Sequence, residues 1–290
     1  MSLKACGAAL LLMLSLTGCG SDDSAPEPGG PLLLSNHFLN IAHRGGRKLA
    51  PEHTLVAYQN GLDVGADILE LDVHGTSDGV LVLMHDETVD RTTNGTGAIS
   101  EMTFAELRSL DAAYNFSEDG GQSFPHRGQG IQVPTLEEVF DAHPDTEFVI
   151  EIKQETPSIV PEFAEIVRAK GMTEKISAGS FHSSTVQELR QLMPEVPSAY
   201  ALGEILDFVD LNDESSYIPP GKVLQVPPEQ LGISIINETT VARAKRFDLK
   251  IHAWTINDAT EMEQLINLGV DGIITDDPIT LDQVRKQLGK

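Results

Sequence analysis

The sequence predicts an α/β fold in which short strands alternate with helices, arranged either as a closed parallel barrel or as a doubly wound open sheet. Three observations point there: eight apolar, β-branched runs recur along the chain, helical patterns lie between most of them, and the chain has 290 residues. That length accommodates one α/β barrel of roughly 250 residues as readily as two smaller domains.

The runs are Phe38 to Ala42, Asp67 to Val73, Val80 to Met84, Glu147 to Ile152, Lys175 to Ala178, Ser198 to Leu202, Lys250 to Trp254 and Asp271 to Thr275. A ninth run at Val223 to Val226 blurs the count, and the step from Val73 to Val80 leaves no room for a helix. The segment Thr135 to Phe140 reads as a helix start, because Thr135 with Glu138 three residues on forms a capping box behind Pro134. Pro157 to Lys170, Ser183 to Leu192, Asn237 to Phe247, Asp258 to Leu268 and Thr280 to Leu288 read as further helices. The stretch from Asp86 to Val133, after the third strand, is long, polar and glycine-rich, and is expected to be an inserted loop of functional use. Periodicity alone does not choose between barrel and open sheet.

The N-terminus is expected to be a targeting element. Lys4 precedes an apolar run from Ala5 to Leu16, too short for a membrane span of about 20 residues but of the form taken by a secretory signal peptide. The run ends in Leu16-Thr17-Gly18-Cys19, which resembles the lipobox of bacterial lipoproteins; an ordinary secretory peptide with an incidental Cys is the alternative. The division expected is signal peptide over 1–18, a Pro-, Gly- and Ser-rich tether over 19–31, and the barrel domain over 32–290 with its insertion at 86–133. This implies an exported lipoprotein of the cell envelope, periplasmic or on the outer face, held to the membrane only through a lipid on Cys19. Cys6 is lost with the signal peptide, so thiol and disulfide chemistry leave the discussion.

Asp and Glu number 44 against 20 Lys and Arg, a net charge of -24. Binding to nucleic acid phosphates rests on Lys and Arg displacing counterions, so nucleic acid is excluded as a partner. An anionic small substrate would be repelled by the protein as a whole, and any phosphate chemistry needs a local cation. In Ile68-Leu69-Glu70-Leu71-Asp72-Val73 the strand period of two puts Glu70 and Asp72 on one face. Two close carboxylates repel unless a cation or a shared proton lies between them, which points to a hard metal such as Mg²⁺ or Ca²⁺. Glu151 and Lys153 share a face in the same way; the alternative for both strands is a polar surface side or a simple ion pair. His43-Arg44-Gly45-Gly46 and His85-Asp86 each place a histidine at a strand's carboxyl end. A phosphodiester needs a base for its nucleophile and an acid for its leaving alkoxide, and histidine supplies either near neutral pH. Trp254, the one Trp, also stands at a strand end and is read equally as substrate contact or as core.

His43-Arg44-Gly45, Pro51-Glu52-His53-Thr54, Glu70-Leu71-Asp72, Asp78-Gly79, His85-Asp86, Arg91-Thr92-Thr93, Pro134 to Glu138, Glu151-Ile152-Lys153, Ser180-Phe181, Trp254-Thr255 and Gly269 to Pro278 follow one another in order. Together they resemble the glycerophosphodiester phosphodiesterase family over about residues 40 to 285. The resemblance implies a TIM-type (β/α)8 barrel, which decides the fold, with the long inserted loop after the third strand. It also implies hydrolysis of a small glycerophosphodiester to glycerol 3-phosphate and an alcohol, with Ca²⁺ or Mg²⁺ as cofactor. By the same resemblance His43 and His85 are the acid and base pair, Glu70, Asp72 and Glu151 the metal ligands, and Arg44 and Lys153 the phosphate holders. Attack by the glycerol 2-hydroxyl through a cyclic phosphate and direct attack by water both stay open, as do the preferred alcohol and the oligomeric state. His53 departs from the Asn that many members carry. A phospholipase C or D type enzyme on lyso or intact lipids, or a non-catalytic barrel lipoprotein, are the alternatives.

The targeting reading has a direct check. Cys19→Ser is expected to move the full-length protein, expressed in a bacterium, from the detergent phase to the aqueous phase on detergent partitioning; equal partitioning of both forms sinks the lipid anchor.

Overall fold

The strands of this chain are covered on both faces, which is why they read as almost continuous apolar runs rather than as strict alternation. In the computed structural model, which describes residues 31–290, the elements in chain order are β1 (Leu39–Ala42), α1 (Leu55–Asp63), β2 (Ile68–Gly75), β3 (Leu81–Leu83), α2 (Phe104–Arg108), α3 (Leu136–Ala142), β4 (Glu147–Ile152), α4 (Val160–Ala169), β5 (Ile176–Gly179), α5 (Ser183–Leu192), α6 (Leu202–Val209), β6 (Val223–Val226), β7 (Glu229–Gln230), β8 (Ile233–Ser234), α7 (Glu238–Arg246), β9 (Lys250–Ala253), α8 (Ala259–Leu268), β10 (Gly272–Thr275) and α9 (Pro278–Gln287). The expected signal peptide, Cys19 and all of the tether before Pro31 lie outside the described residues. Among the described residues no helix is long and apolar enough to cross a membrane.

The strands lie in the spatial order β5-β4-β2-β1-β10-β9-β6, and each neighbouring pair is parallel. The two ends of this path meet through Ser198 and Ala199, which bridge Ala178 of β5 and Val223 of β6, both in parallel sense. The result is a nearly closed parallel barrel ringed by helices, not an open sheet.

Two of the eight expected strands differ from the expectation. Val80 to Met84 contributes β3, but β3 pairs antiparallel with β2 (Val73↔Leu83, His74↔Val82, Gly75↔Leu81) and lies off the barrel path. A parallel partner needs a crossover of a dozen or so residues, and the chain between β2 and β3 is a tight turn in which Gly79 takes a φ of 82°. Ser198 to Leu202 shrinks to the two bridging residues, since Leu202 already begins α6, and Arg190 from α5 braces them by donating to Ser198 Oγ at 2.8 Å and Ala199 O at 2.9 Å. The ninth run, Val223 to Val226, takes a full place in the barrel as β6. The stretch after the third strand is more than a loop. It carries α2, and Val89, Ile99, Leu107 and Val133 pack under Val82 and Met84 as a small core of their own.

Helix starts follow their caps. Thr135 closes the capping box with Glu138 as expected, and Asn237, Asp258 and Asp277 accept backbone N–H groups at the starts of α7, α8 and α9. α1, α2 and α6 were not expected; α1 carries Gly61, a weak helix former, and has no acidic first turn. Gly61 is required by packing, since a Cβ there would stand 2.8 Å from Gly45 O.

One core lies between sheet and helices, with Leu69, Leu71 and Val73 of β2 packed on Phe140, Phe148 and Phe163. Inside the barrel, Ile41, Ile68, Val149 and Ile274 fill the middle. At the end where the strands begin, a single 3₁₀ turn over Leu32–Leu34 plugs the barrel, with Leu33 inserted into that interior layer. The Glu147 carboxylate accepts the N–H groups of Leu32 at 2.5 Å and Leu33 at 2.8 Å. The strand-start end is thereby sealed, and the carboxyl ends of the strands are left to form the site. Removing those two charge-assisted bonds with Glu147→Ala is expected to lower unfolding stability by about 1.5–3 kcal/mol, read by urea denaturation; an unchanged midpoint would remove the plug from the account.

Candidate active site

The barrel's register assembles the site. The period of two on β2 turns Glu70 and Asp72 inward, and pairing of β2 with β4 sets Asp72 directly beside Glu151. Lys153 follows two residues on. His43 and Arg44 leave β1 in a turn whose residues Arg44, Gly45 and Gly46 have φ of 53°, 84° and 89°. Gly45 is needed there, because a Cβ would come within 2.8 Å of the Ala57 backbone. Held left-handed, Arg44 directs its own N–H to Glu70 Oε2 at 2.8 Å. His85 enters from the end of β3, and Trp254 from the end of β9. The structure brings His43, Arg44, Glu70, Asp72, His85, Glu151, Lys153 and Trp254 to the lining of one cavity of about 200 Å³; of the expected site residues only Cys19 lies outside the described residues.

Burial governs the charges here. Burial would raise Asp72, but the His53 hydrogen bond, with Lys153 and Arg44 around it, holds the carboxyl well below its usual range. Glu70 goes the other way: burial, then repulsion from Asp72, lifts it well above the usual carboxylate range. Glu151 is pushed up to about 7 by burial and by the charge of Asp72, against the pull of Lys153. Lys153 Nζ stands 3.0 Å from Glu151 and 3.8 Å from Asp72. The three carboxylates thus exceed the positive charge available to them.

Hydrogen-bond logic fixes two histidine tautomers. Arg44 Nε donates to His43 Nε2 at 3.2 Å. A guanidinium can only donate, so Nε2 of His43 bears no hydrogen and Nδ1 donates to Asp276 Oδ1 at 2.5 Å. Asp276 is held down at about 2, where burial, which would raise it, is outweighed by the His43 hydrogen bond and by Arg47. His53 donates from Nε2 to Asp72 at 2.8 Å and accepts the Tyr58 hydroxyl at Nδ1, also at 2.8 Å. His53 has a φ of 55°, a left-handed conformation in which Asn, Asp and His are enriched among non-glycine residues. His85 pairs its Nδ1 with Asp86 Oδ1 at 2.8 Å, and burial lowers its pKa against the opposing pull of Asp72 and Asp86.

The donor chemistry of Glu70, Asp72 and Glu151 fits a hard divalent cation, since all are oxygen ligands and Asp72 Oδ1 is buried without a hydrogen-bond partner. As the side chains stand, no group of three among the described residues closes around a metal position, and Lys153 supplies only part of the neutralising charge. The other wall is apolar, with Tyr200, Leu202, Ile205, Pro227 and Ile235. Trp254 packs partly against the interior layer, and its ring meets Phe181 edge-on at 5.7 Å at the cavity wall.

Asp276 and Asn257 were not foreseen as partners. Asn257 donates to Asp276 Oδ2 at 2.9 Å and accepts its N–H at 2.9 Å, so it fixes the carboxylate that orients His43. The signal available was an Asp two residues past Ile274 at the end of the last strand, but only barrel closure makes β10 the neighbour of β1. Glu52 was legible as part of a motif, not as the partner of Arg44 at 2.9 Å.

The sequence pattern of the glycerophosphoryl diester phosphodiesterase family matches residues 43–280. The chain is 35% identical over 257 residues to a glycerophosphodiester phosphodiesterase of Caldanaerobacter subterraneus subsp. tengcongensis, covering 86% of this chain and 98% of that one. The crystal structure of a glycerophosphodiester phosphodiesterase from Agrobacterium tumefaciens superposes with a TM-score of 0.70 at 28% identity, over 85% of this chain and 98% of that one. A phosphodiesterase of Oleispira antarctica, solved with the product sn-glycerol-3-phosphate, superposes with a TM-score of 0.67 at 25% identity, over 85% and 96% of the chains.

The His43–Asp276 pair has a consequence for stability. Ionised Asp276 is favoured in the fold, so its contribution is full above the ordinary 3.8 and is lost as the pH falls through about 2. Asp276→Asn is therefore expected to be less stable at pH 6 yet to lose less stability between pH 4 and pH 2, measured by urea midpoints at each pH; parallel curves would refute it.

Proposed function

The chain belongs to the glycerophosphoryl diester phosphodiesterase family and is an enzyme of that class, and from that premise we propose that it hydrolyses glycerophosphodiesters to glycerol 3-phosphate and an alcohol, with His43 and His85 as its acid and base pair. The observation that carries this reading is the convergence of His43, His85, three carboxylates, Arg44 and Lys153 on one cavity, with an aspartate bonded to each histidine from behind. In the proposed reaction Arg44 and Lys153 hold the nonbridging phosphate oxygens. One histidine takes the proton of the attacking group, either water directly or the glycerol 2-hydroxyl with water opening the cyclic phosphate afterwards, and the other returns a proton to the departing alkoxide. Asp276 and Asp86 keep the two rings in orientation and stabilise each imidazolium as it forms. His43 is suited to the base role, because its Nε2 is the nitrogen without hydrogen.

Glu70, Asp72 and Glu151 would hold the divalent cation, Ca²⁺ or Mg²⁺, which when bound adds charge stabilisation to the developing transition state. Support comes from the orphaned Asp72 Oδ1 and from the raised Glu70 and Glu151, whose repulsion a cation relieves. Export through the signal peptide and anchoring at Cys19 complete the proposal; they would place the enzyme in the cell envelope, where deacylated phospholipid head groups are available to it.

The test is release of glycerol 3-phosphate from glycerophosphocholine and glycerophosphoethanolamine by the protein from Leu32 onward. EDTA is expected to abolish release and Ca²⁺ or Mg²⁺ to restore it. His43→Ala and His85→Ala are each expected to lower kcat about 10²–10⁴-fold, the scale of general acid–base catalysis. Full activity in either histidine variant overturns the pair, and activity indifferent to chelator overturns the metal.

A further inference from the structure

Arg91 has no part in the reaction proposed above, yet it grips two carboxylates that each govern a site residue. It reaches in from the insertion after β3, where Asn115 Nδ2 holds its carbonyl at 3.1 Å. Its guanidinium donates to both oxygens of Glu52, at 2.8 and 2.7 Å, and through Nε to Asp86 Oδ2 at 2.6 Å. Glu52 Oε1 is also bonded by Arg44 Nη1 at 2.9 Å, and Asp86 Oδ1 is the partner of His85 Nδ1. One side chain thus stands behind the phosphate-holding Arg44 and behind His85 at once.

The charges make the consequence specific. Glu52 is almost enclosed, its side chain 11% exposed, and besides Arg91 it meets Arg44 and, at 3.9 Å, Arg47. With Arg91 absent, the full charge of Glu52 falls on Arg44, which then pairs with Glu52 in competition with the substrate phosphate. Asp86, more exposed, loses its anchor and with it the orientation of the His85 ring. Only a guanidinium has the planar fork to engage both acids; an ammonium is a point charge that serves one.

We propose that Arg91 is a positioning residue for diester cleavage, coupling the insertion to Arg44 through Glu52 and to His85 through Asp86. The inference rests on the proposed function, and its test separates the two. In steady-state kinetics on glycerophosphocholine with divalent cation present, Arg91→Gln is expected to raise KM and lower kcat, together costing on the order of 10- to 100-fold in kcat/KM, the scale of a displaced positioning group. Loss of these charge-assisted bonds is expected to lower the melting temperature by several degrees while the variant remains folded at the assay temperature, so that the kinetics report on folded protein. Arg91→Lys is expected to recover only part of the loss, because it restores charge without the fork. In the Glu52→Gln background the KM part of the Arg91→Gln effect is expected to vanish, since both act through Arg44. Glycerol 3-phosphate binding by calorimetry reads the Arg44 half without turnover, and Arg91→Gln is expected to weaken it. A kcat/KM within about twofold of the unaltered protein, full rescue by Lys, or additive losses with Glu52→Gln overturns the coupling. If the unaltered protein cleaves no glycerophosphodiester but Arg91→Gln still weakens glycerol 3-phosphate, the function falls and the Arg91–Arg44 link stands; equal binding by both proteins overturns that link.

Discussion

Everything at this site follows from putting carboxylates on a barrel strand. Glu70 and Asp72 point into the interior end of β2, where water no longer screens them, and a charge taken out of water is costly unless it is paired and hydrogen-bonded. Each neighbouring feature answers that cost. Asp72 stays ionised because His53 donates to it and Arg44 and Lys153 lie near; Glu70 takes the Arg44 backbone N–H, which exists at that place only because the β1 turn runs left-handed through Arg44. What the chain's own groups leave unanswered, the free Asp72 oxygen and the excess negative charge over Glu70 and Glu151, is what a hard cation would take up.

The same division of labour organises the two ends of the barrel. At the strand starts, Leu33 and the Glu147 carboxylate close the interior. At the strand ends, the turn after β1 delivers His43 and Arg44, the end of β3 delivers His85 and the end of β9 delivers Trp254, so three separate segments place these side chains on a rigid frame. The insertion does not merely cover this face. Its Arg91 reaches the carboxylates behind Arg44 and His85, so order in that segment and order in the site are one network of ion pairs.

Much of the site was legible because a strand's period of two and a parallel sheet's exposure of its carboxyl ends are local rules. Glu70 with Asp72, Glu151 with Lys153, and the two strand-end histidines needed no knowledge of neighbours. The partners were not legible. Asp276 lies 233 residues from His43 and meets it only because β10 closes against β1; His53 meets Asp72, with the Tyr58 hydroxyl behind it, through a helix start that the pattern did not show. The strand at Val80 to Met84 looked like any other apolar run, and its antiparallel sense was settled by a turn too short for a crossover.

By itself the sequence determined the alternation of strands and helices, the capping box that opens α3, and the ordered motifs that carry the family, because these depend on residues a few positions apart. Only the tertiary structure decided the closure of the barrel through Ser198 and Ala199, the tautomers of His43 and His53, and which carboxylates stay ionised. Those depend on distances between segments far apart in the chain and on how much water is excluded around them, and neither quantity exists until the barrel has closed.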